Sequence, residues 1–415
     1  MSQLFTKGPE MYRILILLAA LIMPATLAAG ETGQDQPRAV TILIGIDGFR
    51  PDYLEREITP RLSALAANGA SGAMRPSFPT KTFPNHYAIV TGKRPDRNGI
   101  VGNSMIDPRR PGQIFSLGNA RQALDPFWWN EAEPVWVTAE RAGIRTATMF
   151  WPGSEVPTND VRPSDWLRFD QNVSNVQRVN TMLDWMRRPA AIRPAFATLY
   201  FDTVDTQGHR FGPDSAEVNA AVAEVDARIG DLVDGIADLG VPVNLVIVAD
   251  HGMRQVDEAR VIRLDELIDR ESYIAVETGP YAAVEPVTGT DARVAEALLV
   301  PHQHMTCARK EDLPERLHYG SNPRVAAIIC IAENGWTILS GEPTYPVSGG
   351  AHGYDNADPQ MLALFIANGP AFSQDQRMTV FDNVAVAALL RAAIGLPEDP
   401  DADGKLADVS AALRR

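Results

Sequence analysis

Cysteine is nearly absent. Cys307 and Cys330 are the only two in 415 residues, so a metal site in this chain has to draw on other ligand types. In an oxidising compartment the two can pair; otherwise they are buried thiols, and sequence order does not decide between these. Basic residues are also short: 38 Lys and Arg stand against 52 Asp and Glu, a net charge of −14. A surface of that sign is a poor non-specific binder of nucleic-acid polymers, because phosphate attraction needs a basic face. Small anionic substrates stay open, since bound divalent cations supply local positive charge. After the N-terminus no apolar run approaches the ~20 residues that span a bilayer. There are no internal repeats and no low-complexity tract.

The one long apolar run is N-terminal. Arg13 precedes Ile14 to Leu21, Pro24 breaks the run, and small residues follow around Thr26, Ala28 and Ala29. Residues 1–29 therefore read as a secretory signal peptide, with Met11 a possible start, and predict a periplasmic or secreted protein. Beyond it, a hydrophobic content of 45% and a charged content of 22% are ordinary for a globular chain with a sizeable core.

Strand and helix signals alternate. Val40 to Ile46 is a continuous apolar run ending at Asp47-Gly48, as a fully buried parallel strand reads. Further strands are expected at Thr146 to Phe150, Ala195 to Phe201, Leu245 to Ala249 and Leu362 to Ile366. Helices are expected from Thr59-Pro60 to Asn68-Gly69, from Ser215 to Leu239 and from Asn383 to Ile394. This order predicts an α/β fold, a doubly wound sheet between helices. The catalytic domain is expected over 39–415. Within it 256–346, with short alternating strands and both cysteines, reads as an inserted cap subdomain.

The chemistry concentrates in five stretches. Thr82 stands in PTKTFPNHY, a loop stiffened by Pro79 and Pro84, just before an apolar run from Tyr87 that reads as the start of a helix. Such a helix end favours an anion. A hydroxyl there becomes a nucleophile only with help from a base or a metal. No serine-hydrolase elbow surrounds it. Asp47-Gly48, Asp205 to His209, Asp250-His251-Gly252 and the glycine-rich loop around His352 supply Asp and His at or after predicted strand ends. Open α/β sheets gather ligands at the carboxyl ends of their strands, so these loops are expected to converge on a two-metal site.

PTKTFPNHY, DTQGHRFGP, ADHGM and GGAHGYDN together resemble the nucleotide pyrophosphatase/phosphodiesterases of the alkaline phosphatase superfamily. NGIVGN, EPVWVTAE, FWPGS and ERLHYG fit the same pattern, and the likeness runs from Val40 to about Leu396. The resemblance implies an alkaline-phosphatase-like fold and two zinc ions. One would be held by Asp47, Asp250 and His251, the other by Asp205, His209 and His352. It makes Thr82 the nucleophile, touching zinc through its hydroxyl. Asn103, with the Thr82 backbone N–H, would hold a phosphate oxygen. Phe83 would stack on the substrate base, with Trp166 expected as the second face of that slot. The implied activity is hydrolysis of nucleotide phosphodiester or pyrophosphate bonds to nucleoside 5'-monophosphates through a phospho-threonine. A choline-type lipid phosphodiesterase on the same scaffold is the alternative. A phosphomonoesterase usually needs an extra cation beside the phosphate, often arginine, and no arginine lies in the nucleophile loop. A sulfatase would need a cysteine at the nucleophile position. A binding protein without catalysis fits poorly with an intact nucleophile and six ligand residues. Nothing in the sequence bears on oligomeric state. His86 reads as a structural hydrogen-bonder, and Trp128, Trp129 and Trp136 as packing.

Overall fold

The computed structural model describes residues 39–343 and 346–414; the expected signal peptide lies outside them. In chain order the principal strands are β1 (Val40–Ile46), β2 (Ala70–Arg75), β3 (Thr146–Met149), β4 (Asp165–Leu167), β5 (Phe196–Phe201), β6 (Val243–Val248), β7 (Tyr273–Glu277), β8 (Tyr281–Pro286), β9 (Met305–Arg309), β10 (Ile328–Ala332) and β11 (Ala363–Asn368). The longer helices are α1 (Pro60–Ala67), α2 (Thr82–Thr91), α3 (Asn175–Met186), α4 (Thr203–Phe211), α5 (Ala216–Leu239), α6 (Asp291–Leu298) and α7 (Ala385–Ile394).

The main sheet runs β2–β11–β6–β1–β5–β3–β4. β1 is buried at all seven positions, as a strand covered on both faces must be. It pairs in parallel with β5 on one side and β6 on the other, with Ile46 opposite Phe201 and Gly45 opposite Val248. That register ends three neighbouring strands at one level, so the loops carrying Asp47, Asp205 and Asp250 leave the sheet side by side. β11 runs antiparallel to both β2 and β6. This exception to the parallel winding matters, because an antiparallel strand presents its upstream loop at the edge where its neighbours end. The His352 loop precedes β11 and enters there, held where the Gly252 N–H donates to the Met361 carbonyl.

Helix caps follow the sequence, with one tertiary substitution. Ser215 caps α5 through Val218 N–H. Thr59 makes no side-chain cap for α1. Instead buried Asp226, from α5, accepts the Arg61 and Leu62 N–H groups at 3.2 and 2.7 Å. The expectation for α2 needs correction. The helix starts at Thr82, five residues before the apolar run that announced it. Pro84 read as a loop residue, yet it stands in the first turn, where its missing N–H has no intrahelical partner to lose.

Within 256–346 an antiparallel sheet, β7–β8–β10–β9, packs with α6 around its own apolar cluster that includes Val284, Val294, Leu298 and Ile328. Cys307 and Cys330 sit directly opposite on β9 and β10 and form a disulfide. Arg324, wholly buried, ties this segment to the catalytic face. It pairs with Asp107 at 2.8 Å and donates to the carbonyls of Gly99, Trp128 and Phe127. Removing it leaves the three buried carbonyls without this donor, while Asp107 keeps Arg109. Arg324→Met is therefore expected to lower the unfolding free energy by about 3–5 kcal/mol. A urea midpoint moving by the equivalent of less than about 1 kcal/mol at unchanged slope would contradict it.

Candidate active site

Asp47 follows β1 and accepts a hydrogen bond from Tyr200 Oη at 2.5 Å. At the adjoining turn, the Gly48 N–H donates to Asp250 Oδ1 at 3.2 Å. Gly48 has φ +69°, and a Cβ there would come within 3.1 Å of the Asp205 backbone, so only glycine lets the β1 and α4 loops pass this closely. Asp205 lies in the first turn of α4, and His209, one turn on, brings Nε2 to 3.5 Å from Asp205 Oδ1. His251 Nε2 stands 3.0 Å from Asp250 Oδ2 and 3.4 Å from Asp47 Oδ1. His352 Nε2 stands 3.8 Å from Asp205 Oδ1.

The three histidines share one device. His209 Nδ1 faces the Gly350 carbonyl at 2.9 Å, His251 Nδ1 the Gly252 carbonyl at 2.9 Å, and His352 Nδ1 the Thr80 carbonyl at 2.8 Å. A backbone acceptor on Nδ1 holds that proton there and leaves Nε2 as a bare donor atom aimed at the carboxylates. Asp47, Asp250 and His251 present ligand atoms within 4.8 Å of one another, and so do Asp205, His251 and His352. Asp47 Oδ1, Asp205 Oδ1 and Asp250 Oδ2 are buried and have no hydrogen-bond donor. Buried anionic oxygens without donors are costly, and divalent cations are the natural partners for them. The donor set, carboxylate and imidazole without thiolate, fits zinc or a similar metal.

The electrostatics carry the same signature. Burial, then Asp250 and Asp205, push Asp47 well above the usual carboxylate range. Burial opposes ionisation of Asp250 too, but His251 and His86 outweigh it and hold Asp250 well below that range. Burial, with His251, Lys81 and His209 nearby, keeps His352 well below the ordinary imidazole value, in its ligating neutral form.

Thr82 is the first residue of α2, and its Oγ1 lies 3.3 Å from His251 Nε2. Asn103 Oδ1 accepts the Phe83 N–H at 2.9 Å. That bond orients the amide and leaves its NH2 as the group able to donate to a ligand. His86, behind the helix turn, places Nδ1 at 2.9 Å from the Thr82 carbonyl and 3.3 Å from Asp250 Oδ2. In front of Thr82 opens a cavity of about 520 Å³. Asp47, Asp205, His209 and His352 line one end. Phe83, Leu124, Phe150, Trp151 and Phe169 line the rest.

Nine of the ten residues singled out in the sequence thus meet in one place. Trp166 does not. It sits on the edge strand β4, 38% exposed, under the Arg162 guanidinium and away from the cavity. Phe169, three residues on, lines the cavity instead, its ring edge-on to Phe150 and Tyr200. The signal was position: Phe169 follows the carboxyl end of β4, where this sheet places its site, whereas Trp166 is mid-strand. Tyr200 was also missed, because inside a uniformly apolar strand it reads as core. Trp128, Trp129 and Trp136 are fully buried.

A family model described as type I phosphodiesterase / nucleotide pyrophosphatase matches residues 41–355. Curated relatives include the bis(5'-adenosyl)-triphosphatase enpp4 of Xenopus laevis, 34% identical over 403 residues that span 96% of this chain and 87% of the relative. Human ectonucleotide pyrophosphatase/phosphodiesterase family member 5 is 37% identical over 363 residues, 86% of this chain and 75% of the relative. Among solved structures, murine ectonucleotide pyrophosphatase/phosphodiesterase 5 superposes with a TM-score of 0.86 at 34% identity, covering 91% of this chain and 100% of that one. An inactive threonine-to-alanine variant of it, in complex with AMP, superposes equally well. The mixed sheet flanked by helices is the alkaline-phosphatase-like fold of these neighbours.

Proposed function

This chain belongs to the type I phosphodiesterase/nucleotide pyrophosphatase family, a family of hydrolases, and on that premise we propose that it is an exported, two-zinc enzyme releasing nucleoside 5'-monophosphates through a phospho-threonine. The observation that carries the reading is Thr82 Oγ1 at a helix N-terminus, against two Asp/His clusters whose buried oxygens lack donors. Asp47, Asp250 and His251 would hold one zinc, and Asp205, His209 and His352 the other. Bound there, the cations supply Lewis-acid charge for a developing alkoxide and a leaving oxygen.

The chain's own groups do the rest. Thr82 Oγ gives up its proton to solvent and attacks phosphorus in line; the P–Oγ bond forms as the bond to the leaving oxygen breaks, and that oxygen departs on the far side and takes up a proton. Water then loses a proton and attacks the phospho-threonine, the P–Oγ bond breaks, the nucleoside 5'-monophosphate leaves, and Oγ regains its proton. The Asn103 amide and the Thr82 N–H hold a non-bridging oxygen, while the Phe83 N–H is taken up by Asn103 Oδ1, and preorganised donors of this kind are worth about 10²–10³ in rate. A cavity of about 520 Å³ suits one nucleotide. One relative's name, bis(5'-adenosyl)-triphosphatase, and the AMP bound by the inactive variant of the murine neighbour support a nucleoside moiety. The Cys307–Cys330 disulfide supports the periplasmic or secreted location read from residues 1–29. Among the described residues no helix is long and apolar enough to cross a membrane.

Five aromatics, Phe83, Phe150, Trp151, Phe169 and Tyr200, border the cavity. That favours choline-phosphate diesters as the second reading, because a quaternary ammonium binds where several rings surround one point. A substrate panel decides. ATP, a diadenosine polyphosphate, a nitrophenyl nucleotide diester and glycerophosphocholine are offered to the zinc-loaded enzyme, and the nucleotides are expected to win with AMP among the products. Phe83→Ala is expected to lower kcat/KM for nucleotides by about ten- to thirtyfold, roughly 1–2 kcal/mol of lost stacking, and to matter much less for a diester without a base. Equal losses on both classes would mean that Phe83 only shapes the loop. Glycerophosphocholine as best substrate would establish the lipid-type reading.

A further inference from the structure

Glu277 ends β7 in the inserted segment, far in sequence from Thr82 and Asn103. The pairing register of β7 shifts between Ala275 and Glu277, and irregularities of this kind re-aim a side chain. The Glu277 side chain is 11% exposed and spans two catalytic elements. Oε2 accepts the Ser104 N–H at 2.6 Å, and Ser104 directly follows Asn103. Oε1 lies 3.9 Å from Lys81 Nζ, and Lys81 directly precedes Thr82. The lysine stem runs across Gly353, where a Cβ would come within 2.7 Å of Lys81 Cε, and Gly353 directly follows His352. One desolvated ion pair therefore touches the neighbours of Thr82, Asn103 and His352. Buried pairs of this kind add little net stability, so their use is to set geometry.

We propose that Glu277 is a positioning residue: through the Ser104 N–H it fixes Asn103, so that the inserted segment completes the oxyanion notch beside the nucleophile. This rests on the reading of Asn103 as a donor to the phosphate.

The test uses the full-length, zinc-loaded protein and a nitrophenyl nucleotide diester. Asn103→Ala is expected to lower kcat by about a hundredfold, the scale for one oxyanion donor. Glu277→Ala is expected to lower kcat by about thirtyfold with KM within about twofold, and the double variant to fall no more than about threefold below Asn103→Ala alone, because coupled residues are not additive. Glu277→Gln keeps an acceptor for Ser104 and is expected to stay within about fivefold of wild type. Amide exchange gives a readout independent of turnover. Glu277→Ala should speed exchange at Phe83, whose N–H loses its Asn103 acceptor, and Glu277→Gln should not. Fully multiplicative losses, or Phe83 exchange unmoved by Glu277→Ala, would overturn the proposal. If Asn103→Ala proves nearly silent while Phe83 exchange moves, the donor role of Asn103 fails and the positioning by Glu277 stands.

Discussion

Thr82→Ala should abolish turnover of every phosphodiester and leave the fold and the metal sites intact. The expected loss is at least about a thousandfold in kcat, about 4 kcal/mol of transition-state stabilisation. The fold should tolerate the change because Thr82 is only half-buried at the first position of α2, its Oγ1 contacts one imidazole, and alanine is a good helix former. Thr80 offers no substitute. It is fully buried, its Oγ1 donates to the Tyr354 carbonyl at 2.9 Å and accepts the Gly353 N–H at 3.0 Å, and it has no free path to phosphorus. Thr82→Ser, which keeps a hydroxyl, should retain activity within about tenfold. Steady-state kinetics on a nitrophenyl nucleotide diester check this, with thermal melting and metal content as controls. If Thr82→Ala keeps activity within about tenfold of wild type, Thr82 is not the nucleophile.

Much of the site was legible because it is built at strand ends. Parallel strands put their carboxyl termini on one edge, so Asp47, Asp205 and Asp250 were placed near one another by the alternation of elements alone. His352 needed more. Its loop reaches the same edge only because β11 is antiparallel, and no periodicity in the sequence marks strand direction. The start of α2 was placed too late because Pro84 reads as loop, although the first helical turn tolerates a proline. Trp166 was expected at the cavity and does not line it: an edge strand shows no buried face by which to orient its side chains, and Phe169, which does line the cavity, lies just past the strand's end.

Other features were not legible by any local rule. Tyr200 sits mid-strand in a buried run and becomes polar in function only through Asp47 on the neighbouring strand. Burial, then Asp47, pushes its phenol well above the usual range, so it remains a donor to that carboxylate. The Glu277–Ser104 contact joins residues separated by 173 positions. Contacts of that kind follow from tertiary packing, not from propensity or spacing.

Removing metal should be the other change of this size. The chain is expected to carry two zinc ions, and chelation should end activity and lower the melting temperature. The physical reason is the carboxylates: three buried oxygens without donors lie in the two ligand groups, and each added cation stabilises the folded state by its binding free energy, about 4 kcal/mol at a thousandfold excess over Kd. His352 and His209 allow a sharper prediction. The His352 side chain is 4% exposed, anchored on Thr80 and stacked at 3.4 Å on His251, whereas the His209 side chain is 43% exposed at the cavity mouth. His352→Ala therefore removes a fixed, preoriented imidazole from the Asp205 group. Its bound metal should fall from two equivalents to one, and kcat by more than about a hundredfold, since two-metal displacement needs both charges. His209→Ala, at a hydrated position, should weaken the same metal but leave part of the activity recoverable at millimolar zinc. Elemental analysis with kinetics across a zinc titration separates these outcomes. Active enzyme free of any transition metal would end the two-metal reading. Loss of both ions in His352→Ala would instead show that the two clusters bind as one unit through His251, the residue both contain.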